Sequence, residues 1–240
     1  MRVLLIGYGK MGKTIEEILT ERGHKVVGIV DRSTEAKIKD FSKSEVDVAI
    51  EFTEPSAAYD NITACLEEGI PLVSGTTGWL DRRENVEKLC AEKDGAFFWA
   101  SNFSLGVNIF FALNNRLAEL MNPHADYKVS MEEIHHTEKK DAPSGTAITL
   151  AEGVIDNLDR IENWSLKGEG SQVENILEIA AVREPDVPGT HEVVYESEMD
   201  KIEIKHTAHT RKSFALGAVV AAEWLPGKKG ILSMQDMLGF

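Results

Sequence analysis

Two cysteines in 240 residues, Cys65 and Cys90, are too few for a disulfide framework, and they form neither a CxxC pair nor a zinc-ligand spacing. Both fall in stretches of helical periodicity and read as reduced thiols in or near a core. Basic residues are scarce too. The 26 Lys and Arg face 40 Asp and Glu, and a net charge of −14 argues against nucleic acid as a partner, because a phosphate backbone calls for a basic face. No apolar run approaches a membrane span, and Met1-Arg2 leads directly into Val3-Leu-Leu-Ile6 with no room for a signal peptide. The expected location is therefore cytoplasmic, away from membranes. Low-complexity tails, heptad runs and internal repeats are missing as well. What remains is a 42% hydrophobic chain of ordinary soluble composition, long enough for one large or two modest domains.

The first half alternates strand and helix. Val3 to Ile6 is a short apolar strand, followed by Gly7-Tyr8-Gly9-Lys10-Met11-Gly12, a helical pattern at Ile15, Ile18 and Leu19, and a second strand, Val26 to Val30, ending at Asp31. A lone GxGxxG is a weak signal, and a tight turn without a ligand is the alternative. Here strand, helix and a later acid stand where a dinucleotide fold needs them, which makes Gly7, Gly9, Lys10, Met11, Gly12 and Asp31 candidate cofactor contacts. Val46 to Phe52 predicts the next strand and Pro55 to Leu66 a helix, ended by Gly69. Pro71 to Ser74 then delivers Gly75-Thr76-Thr77-Gly78, Arg82 to Glu92 is helical, and Ala96 to Ala100 delivers Ser101-Asn102-Phe103. Such alternation implies a parallel sheet with ligands at the carboxyl ends of its strands. Leu105 to Met121 is a long apolar helix crossing into a second domain.

The second half is organised around Glu132-Glu-Ile-His135-His136-Thr-Glu-Lys139-Lys140-Asp-Ala-Pro-Ser-Gly145-Thr146. Tyr127 to Ile134 predicts a strand running to the histidines, and Ala147 to Leu158 predicts a helix with a Ser cap before it. A helix start offers unpaired N–H groups and partial positive charge, so Gly145 and Thr146 suit a carboxylate or phosphate. His135 suits a proton donor, while His136 and Lys139 suit holding or polarising an anion. Two open alternatives are that one histidine is merely packed, since neighbours on a strand face opposite ways, and that the cluster is a solvated loop. The acids nearby have no familiar ligand spacing, so no metal is expected. Three further strands are expected at Ile176 to Arg183, Glu192 to Glu198 and Lys201 to His209, the last two as a hairpin, with a helix from Arg211 to Trp224. The polar stretch Arg160 to Asn175 gives no clear pattern.

The run His135-His136-x-x-Lys139-x-Asp141-Ala-Pro-Ser-Gly-Thr-Ala147 strongly resembles the signature of the dihydrodipicolinate (4-hydroxy-tetrahydrodipicolinate) reductase family. The resemblance extends to the glycine loop, Gly75-Thr-Thr-Gly78, Ala100-Ser-Asn-Phe103, Val182-Arg183-x-x-Asp186-x-x-Gly189-x-His191 and His206-x-Ala-x-Thr-Arg211-x-x-Phe-Ala-x-Gly-Ala218, nearly the whole chain. Many relatives have a longer glycine loop with Arg in place of Lys10. The resemblance implies an α/β protein with a Rossmann dinucleotide-binding domain over residues 1–105 and 210–240 and an α+β mixed-sheet domain over 106–209 for substrate binding and oligomerisation. It implies NADH or NADPH as cofactor, and reduction of 4-hydroxy-tetrahydrodipicolinate to tetrahydrodipicolinate with loss of water, in lysine and diaminopimelate biosynthesis. His135 and Lys139 would be the proton donors, and His136, Gly145 and Thr146 the substrate-carboxylate ligands. Gly75, Thr76, Thr77, Ala100, Ser101, Asn102 and Phe103 would join the glycine loop and Asp31 at the cofactor. A homotetramer is also implied.

Two other readings share parts of this pattern. An amino-acid dehydrogenase of Rossmann type would keep the first half without needing the His-His-x-x-Lys run, and a dinucleotide sensor would have no use for adjacent acid groups. At the cofactor's ribose, Asp31 favours NADH and repels a 2′-phosphate. Arg32 is shaped to pair with that phosphate, with Lys37 and Lys39 nearby, unless it is simply a surface charge.

Overall fold

The computed structural model describes residues 1–168, 175–210 and 212–240, and its chain separates into two compact units, Met1–Leu105 with Lys212–Phe240, and Gly106–Arg211. The first unit holds a six-stranded, wholly parallel sheet. Its strands are β1 (Arg2–Ile6), β2 (Lys25–Val30), β3 (Val48–Glu51), β4 (Leu72–Ser74), β5 (Ala96–Trp99) and a late one, β11 (Gly230–Leu232), in the order β11-β5-β4-β3-β1-β2. The central strands are apolar on both faces, as burial from two sides demands: all of β3 and β4 is buried. One face packs on α1 (Lys10–Glu21) and α6 (Lys212–Trp224), the other on α2 (Pro55–Glu67) and α3 (Arg83–Glu92). Strand order reverses beside β1, between β2 and β3, and a crevice opens at such a reversal.

The terminal segment completes this unit by a device that the sequence pattern hides. β11 is only three residues long, yet it pairs with β5 from Gly230↔Ala96 to Leu232↔Phe98 and extends the sheet by one strand. α7 (Met234–Leu238) follows, capped by Ser233, whose hydroxyl accepts from Asp236 N–H.

The second unit begins along α4 (Leu105–Met121), which falls where the apolar periodicity puts it. Its sheet is mixed, ordered β10-β9-β6-β8-β7 from β6 (Lys128–His135), β7 (Asn163–Leu166), β8 (Ile176–Arg183), β9 (Thr190–Glu196) and β10 (Lys201–Thr207). β9 and β10 form the expected antiparallel hairpin. β7 lies within the polar stretch that showed no pattern, and it pairs parallel to β8 at the sheet edge. One face of the sheet buries Met131, Leu177, Ile179, Val193 and Tyr195 against α5 (Gly145–Ile155), whose Leu150, Ala151 and Val154 are fully covered. Fully burying each of these Leu, Ile, Val and Met side chains contributes about 1.5–3 kcal/mol.

Candidate active site

In the second unit, β6 runs one residue further than its sequence pattern suggests, so His135 is its last residue and His136 the first beyond it. Alternation then decides what faces inward. Met131, Glu133 and His135 share the core face, and all three are buried. Register adds the neighbours: His191 on β9 lies directly opposite Glu133, and Arg183 on β8 is paired with His135. Four ionisable side chains thus meet on one face of a three-strand ladder.

Their contacts are close. Glu133, 0% exposed, lies 3.3 Å from the Arg183 guanidinium, 3.5 Å from His135 Nε2 and 3.7 Å from His191 Nε2. The two histidine Nε2 atoms are 3.3 Å apart, and His191 Nε2 is 3.1 Å from Ser144 Oγ. Both Glu133 oxygens accept from the Ser144 N–H, at 3.2 and 3.0 Å. Arg183 also donates to the carbonyls of Lys139 and Asp141, tying the loop after β6 to β8. Burial pushes the His135 ring below its ordinary pKa; Glu133 opposes this, while Lys139 and Arg183 reinforce it. Burial, with the neighbouring His135, pushes His191 further, down to about 4. The donor atoms of Glu133, His135 and His191 lie within 4.8 Å of one another, a spacing that a metal ion could bridge. The charge that meets Glu133 here, however, is the guanidinium of Arg183.

Beyond the strand, the Lys139 ammonium pairs with the mostly exposed Asp141 side chain at 2.6 Å, a contact that holds the Asp141 carboxyl below its usual range. His136 lines an open cavity of about 370 Å³ with Asp186 and Pro188. Ser144 caps α5 as the sequence predicts, its hydroxyl accepting from Ala147 N–H. At Gly145 an added Cβ would meet nothing within 4 Å, so the helix start is open to a ligand. The sequence-predicted residues therefore separate: His135 lies inside the buried cluster, while His136, Lys139, Gly145 and Thr146 belong to the loop and helix start above it.

In the first unit, the crevice beside β1 is a cavity of about 290 Å³ lined by Gly7, Gly9, Asp31, Arg32, Thr53 and Glu54 among others. A second, of about 340 Å³, is lined by Gly9, Lys10, Met11, Gly75, Thr76 and Thr77 among others. The glycines divide by task. Gly7 has φ +90° and Gly12 packs on Gly7, so a Cβ at either would strike backbone at 2.0 or 2.3 Å. At Gly9 it would meet nothing within 4 Å, and the N-terminus of α1 has no side-chain cap. Open space above free helix amides fits a pyrophosphate, so the residues present suit a dinucleotide.

Asp31 accepts from Tyr8 N–H at 2.9 Å and from the Ser33 N–H and hydroxyl at 3.1 and 3.0 Å, bonds that hold its carboxyl below the usual range. Of roughly four lone-pair sites on a carboxylate, about one is left for a ribose hydroxyl. Arg32 is turned to Glu54, forming an exposed ion pair. The Thr76 hydroxyl donates to buried Glu51 at 2.8 Å and its carbonyl accepts from the indole N–H groups of Trp79 and Trp99, leaving its own N–H for a ligand. Phe103 is a core residue, its ring 5.7 and 5.8 Å from those of Phe52 and Phe98, so only its backbone can reach outward. Ala100 is also buried, whereas Ser101 is exposed and Asn102 half-buried, its Oδ1 accepting from Ser104 N–H.

Comparison with known proteins decides among the readings. Residues 1–103 match the family model "Dihydrodipicolinate reductase, N-terminus", and residues 106–238 match "Dihydrodipicolinate reductase, C-terminus". The chain belongs to the dihydrodipicolinate reductase family. The 4-hydroxy-tetrahydrodipicolinate reductase of Christiangramia forsetii is 52% identical over 99% of this chain and 98% of its own length, and that of Chromobacterium violaceum is 34% identical over 99% and 98%. The structure of dipicolinate-bound dihydrodipicolinate reductase from Paenisporosarcina sp. TG-14 superposes with a TM-score of 0.80 at 20% identity, covering 99% of each chain. An amine dehydrogenase from Mycobacterium smegmatis shares the fold less closely, with a TM-score of 0.65 at 12% identity over 98% of this chain and 95% of that one. A member of the dihydrodipicolinate reductase family is an oxidoreductase, which sets aside the sensor reading.

Glu133, Arg183, His191 and Glu51 are the residues that sequence reasoning left without a role. For Glu133 the signal is present, since it stands two positions before His135 and so must share its face. Arg183 and His191 occur within the motifs quoted above, but their convergence depends on strand register, which no local pattern states.

Proposed function

We propose that the protein is a 4-hydroxy-tetrahydrodipicolinate reductase of lysine and diaminopimelate biosynthesis, using NADH, NADPH or both. The near-complete match to a relative of that name at 52% identity carries this reading. A bound nicotinamide supplies the hydride for C4 of the cyclic substrate. The chain's own residues do the rest: Lys139 and His135 provide protons, one for the departing hydroxyl and one for the enamine tautomerisation, while His136 and the amides of Gly145 and Thr146 hold a substrate carboxylate. The glycine-loop amides above α1 seat the pyrophosphate, and Asp31 takes the ribose. The Gly75 to Thr77 and Ala100 to Phe103 turns border the cofactor, the latter through backbone at Phe103. Residues 1–105 and 210–240 serve the cofactor, and 106–209 serve substrate and assembly.

We further infer that the protein works in the cytoplasm as a homotetramer, without a metal. Among the described residues no helix is long and apolar enough to cross a membrane. The direct test is NADH and NADPH oxidation with the condensation product of pyruvate and aspartate semialdehyde. Cofactor oxidation that depends on this product is expected, and none with either cofactor would overturn the assignment. Light scattering tests assembly, a monomeric mass being the contrary result.

A further inference from the structure

The buried cluster holds one more group than proton donation requires. His191 is only 5% exposed, yet its Nε2 touches His135 Nε2 and Ser144 Oγ, at 3.3 and 3.1 Å. Its other ring nitrogen, Nδ1, is buried without a hydrogen-bond partner. A buried N–H left unpaired is costly, whereas a bare ring nitrogen left unpaired costs less. The His191 proton therefore belongs on Nε2, where Ser144 Oγ and His135 Nε2 can both accept. His135 Nε2 is then an acceptor. To carry a proton there it must face the His191 N–H, or force that proton onto the unpartnered Nδ1. Glu133 acts in the opposite sense, placing a carboxylate 3.5 Å from the same His135 nitrogen.

We propose that His191 and Glu133 are positioning residues that set, in opposite directions, which protonation state His135 presents to the substrate. His191 holds the ring in its acceptor form. Glu133 stabilises the imidazolium and keeps it accessible. An imidazolium kept this acidic gives up its proton readily, while the carboxylate prevents its population from vanishing. The charged and titratable groups facing His135 are Glu133 on its own strand, Lys139 in the loop, Arg183 on β8 and His191 on β9; His206 on β10 stands behind His191. The proposal rests on the reading of His135 as a proton donor.

The test is ring-resonance titration of His135 by NMR in the ligand-free protein, alongside the pH dependence of kcat/KM. His191→Gln keeps the size, and its amide can turn to accept, so the His135 titration and the corresponding kinetic limb should move up by about one pH unit. Glu133→Gln should move both down by a similar amount. A merely structural role would lower Tm in both variants without opposed shifts, and unmoved or parallel shifts would overturn the proposal. Should Glu133→Gln fail to fold, Glu133→Asp, which draws the charge back from the ring, should give a smaller downward move; no downward move would count against it. Because the NMR titration is independent of turnover, the outcomes separate: opposed NMR shifts with unmoved kinetics would leave the cluster intact and sink the His135 donor role instead.

Discussion

Among the described residues each unit buries one carboxylate completely, Glu51 in the first and Glu133 in the second, and the two are satisfied in opposite ways. Glu51, at the end of β3, is surrounded by neutral donors: the Ser74 hydroxyl at 2.5 Å, the Thr76 hydroxyl at 2.8 Å, and the Thr53 N–H and hydroxyl. Burial pushes its carboxyl above the usual range. Glu133, on β6, instead meets an arginine and two histidines. The difference teaches what each is suited to do. A carboxylate held by hydroxyls fixes loops, here the Thr53 and Thr76 turns beside the cofactor cavities. One held among titrating rings and a guanidinium controls charge.

The largest expected effect lies above the second carboxylate. Lys139→Ala should lower kcat by about 10² to 10⁴, with cofactor affinity nearly unchanged, and His135→Gln should act likewise. Steady-state kinetics with both substrates varied would check this, and near wild-type turnover in both variants would remove these residues from the chemistry. Next in size is Glu133→Ala, which strands the Arg183 guanidinium in the second unit. A loss of about 3 kcal/mol in denaturant unfolding is expected, against about 1–2 kcal/mol for Glu51→Ala, whose orphans are uncharged hydroxyls and one amide. Equal losses would dissolve the contrast.

Acid should separate the units as well. The folded pKa of His191 lies near 4, below its ordinary 6.5, so the unfolded chain binds this proton first. Its stabilising contribution is complete above pH 6.5 and lost as pH falls towards 4, up to roughly 3 kcal/mol. Glu51 works in reverse, since a raised carboxyl pKa favours the folded form at low pH. In the first unit the depressed groups are carboxyls, Asp31 and Asp47 among them, with Glu223 held near 2 by Arg22 and His24, so the loss from Glu223 begins only as pH falls below the ordinary carboxylate value of 4.5. Hydrogen exchange between pH 7 and 4 should therefore loosen Gly106–Arg211 first. Simultaneous loosening would contradict the assignment of charge. The smallest effect concerns Arg32. Its partner Glu54 cancels part of its pull on a 2′-phosphate, so Arg32→Ala should weaken NADPH binding selectively and by about tenfold at most, as titration with each cofactor would reveal.

Legibility followed the range of the interactions involved. β1, α1 and the glycine loop are written in consecutive residues, and so are α4 and the Ser144 cap. β7 was hidden because an edge strand with one open face needs few apolar residues, and Asn163-Trp-Ser-Leu166 carries only two. β11 is three residues long, too short for any period to register. Within the site, the open helix starts at Gly9 and Gly145 are local features and could be read. The Glu133 cluster depends on register between β6, β8 and β9, whose members lie about fifty residues apart, and Arg32 was read without Glu54 because an ion pair across a cavity mouth leaves no trace in spacing.

The cap of α5 also does some arithmetic. A helix begins with several unpaired amides, but here the Ser144 N–H is taken by Glu133 and the Ala147 N–H by the Ser144 hydroxyl. Only Gly145 and Thr146 are left to offer amides at the helix start, and two donors match the two oxygens of a single carboxylate. A phosphate would bring a third oxygen for which this helix start has no amide left. The helix end thus has a valence, and the serine and the glutamate set it at two.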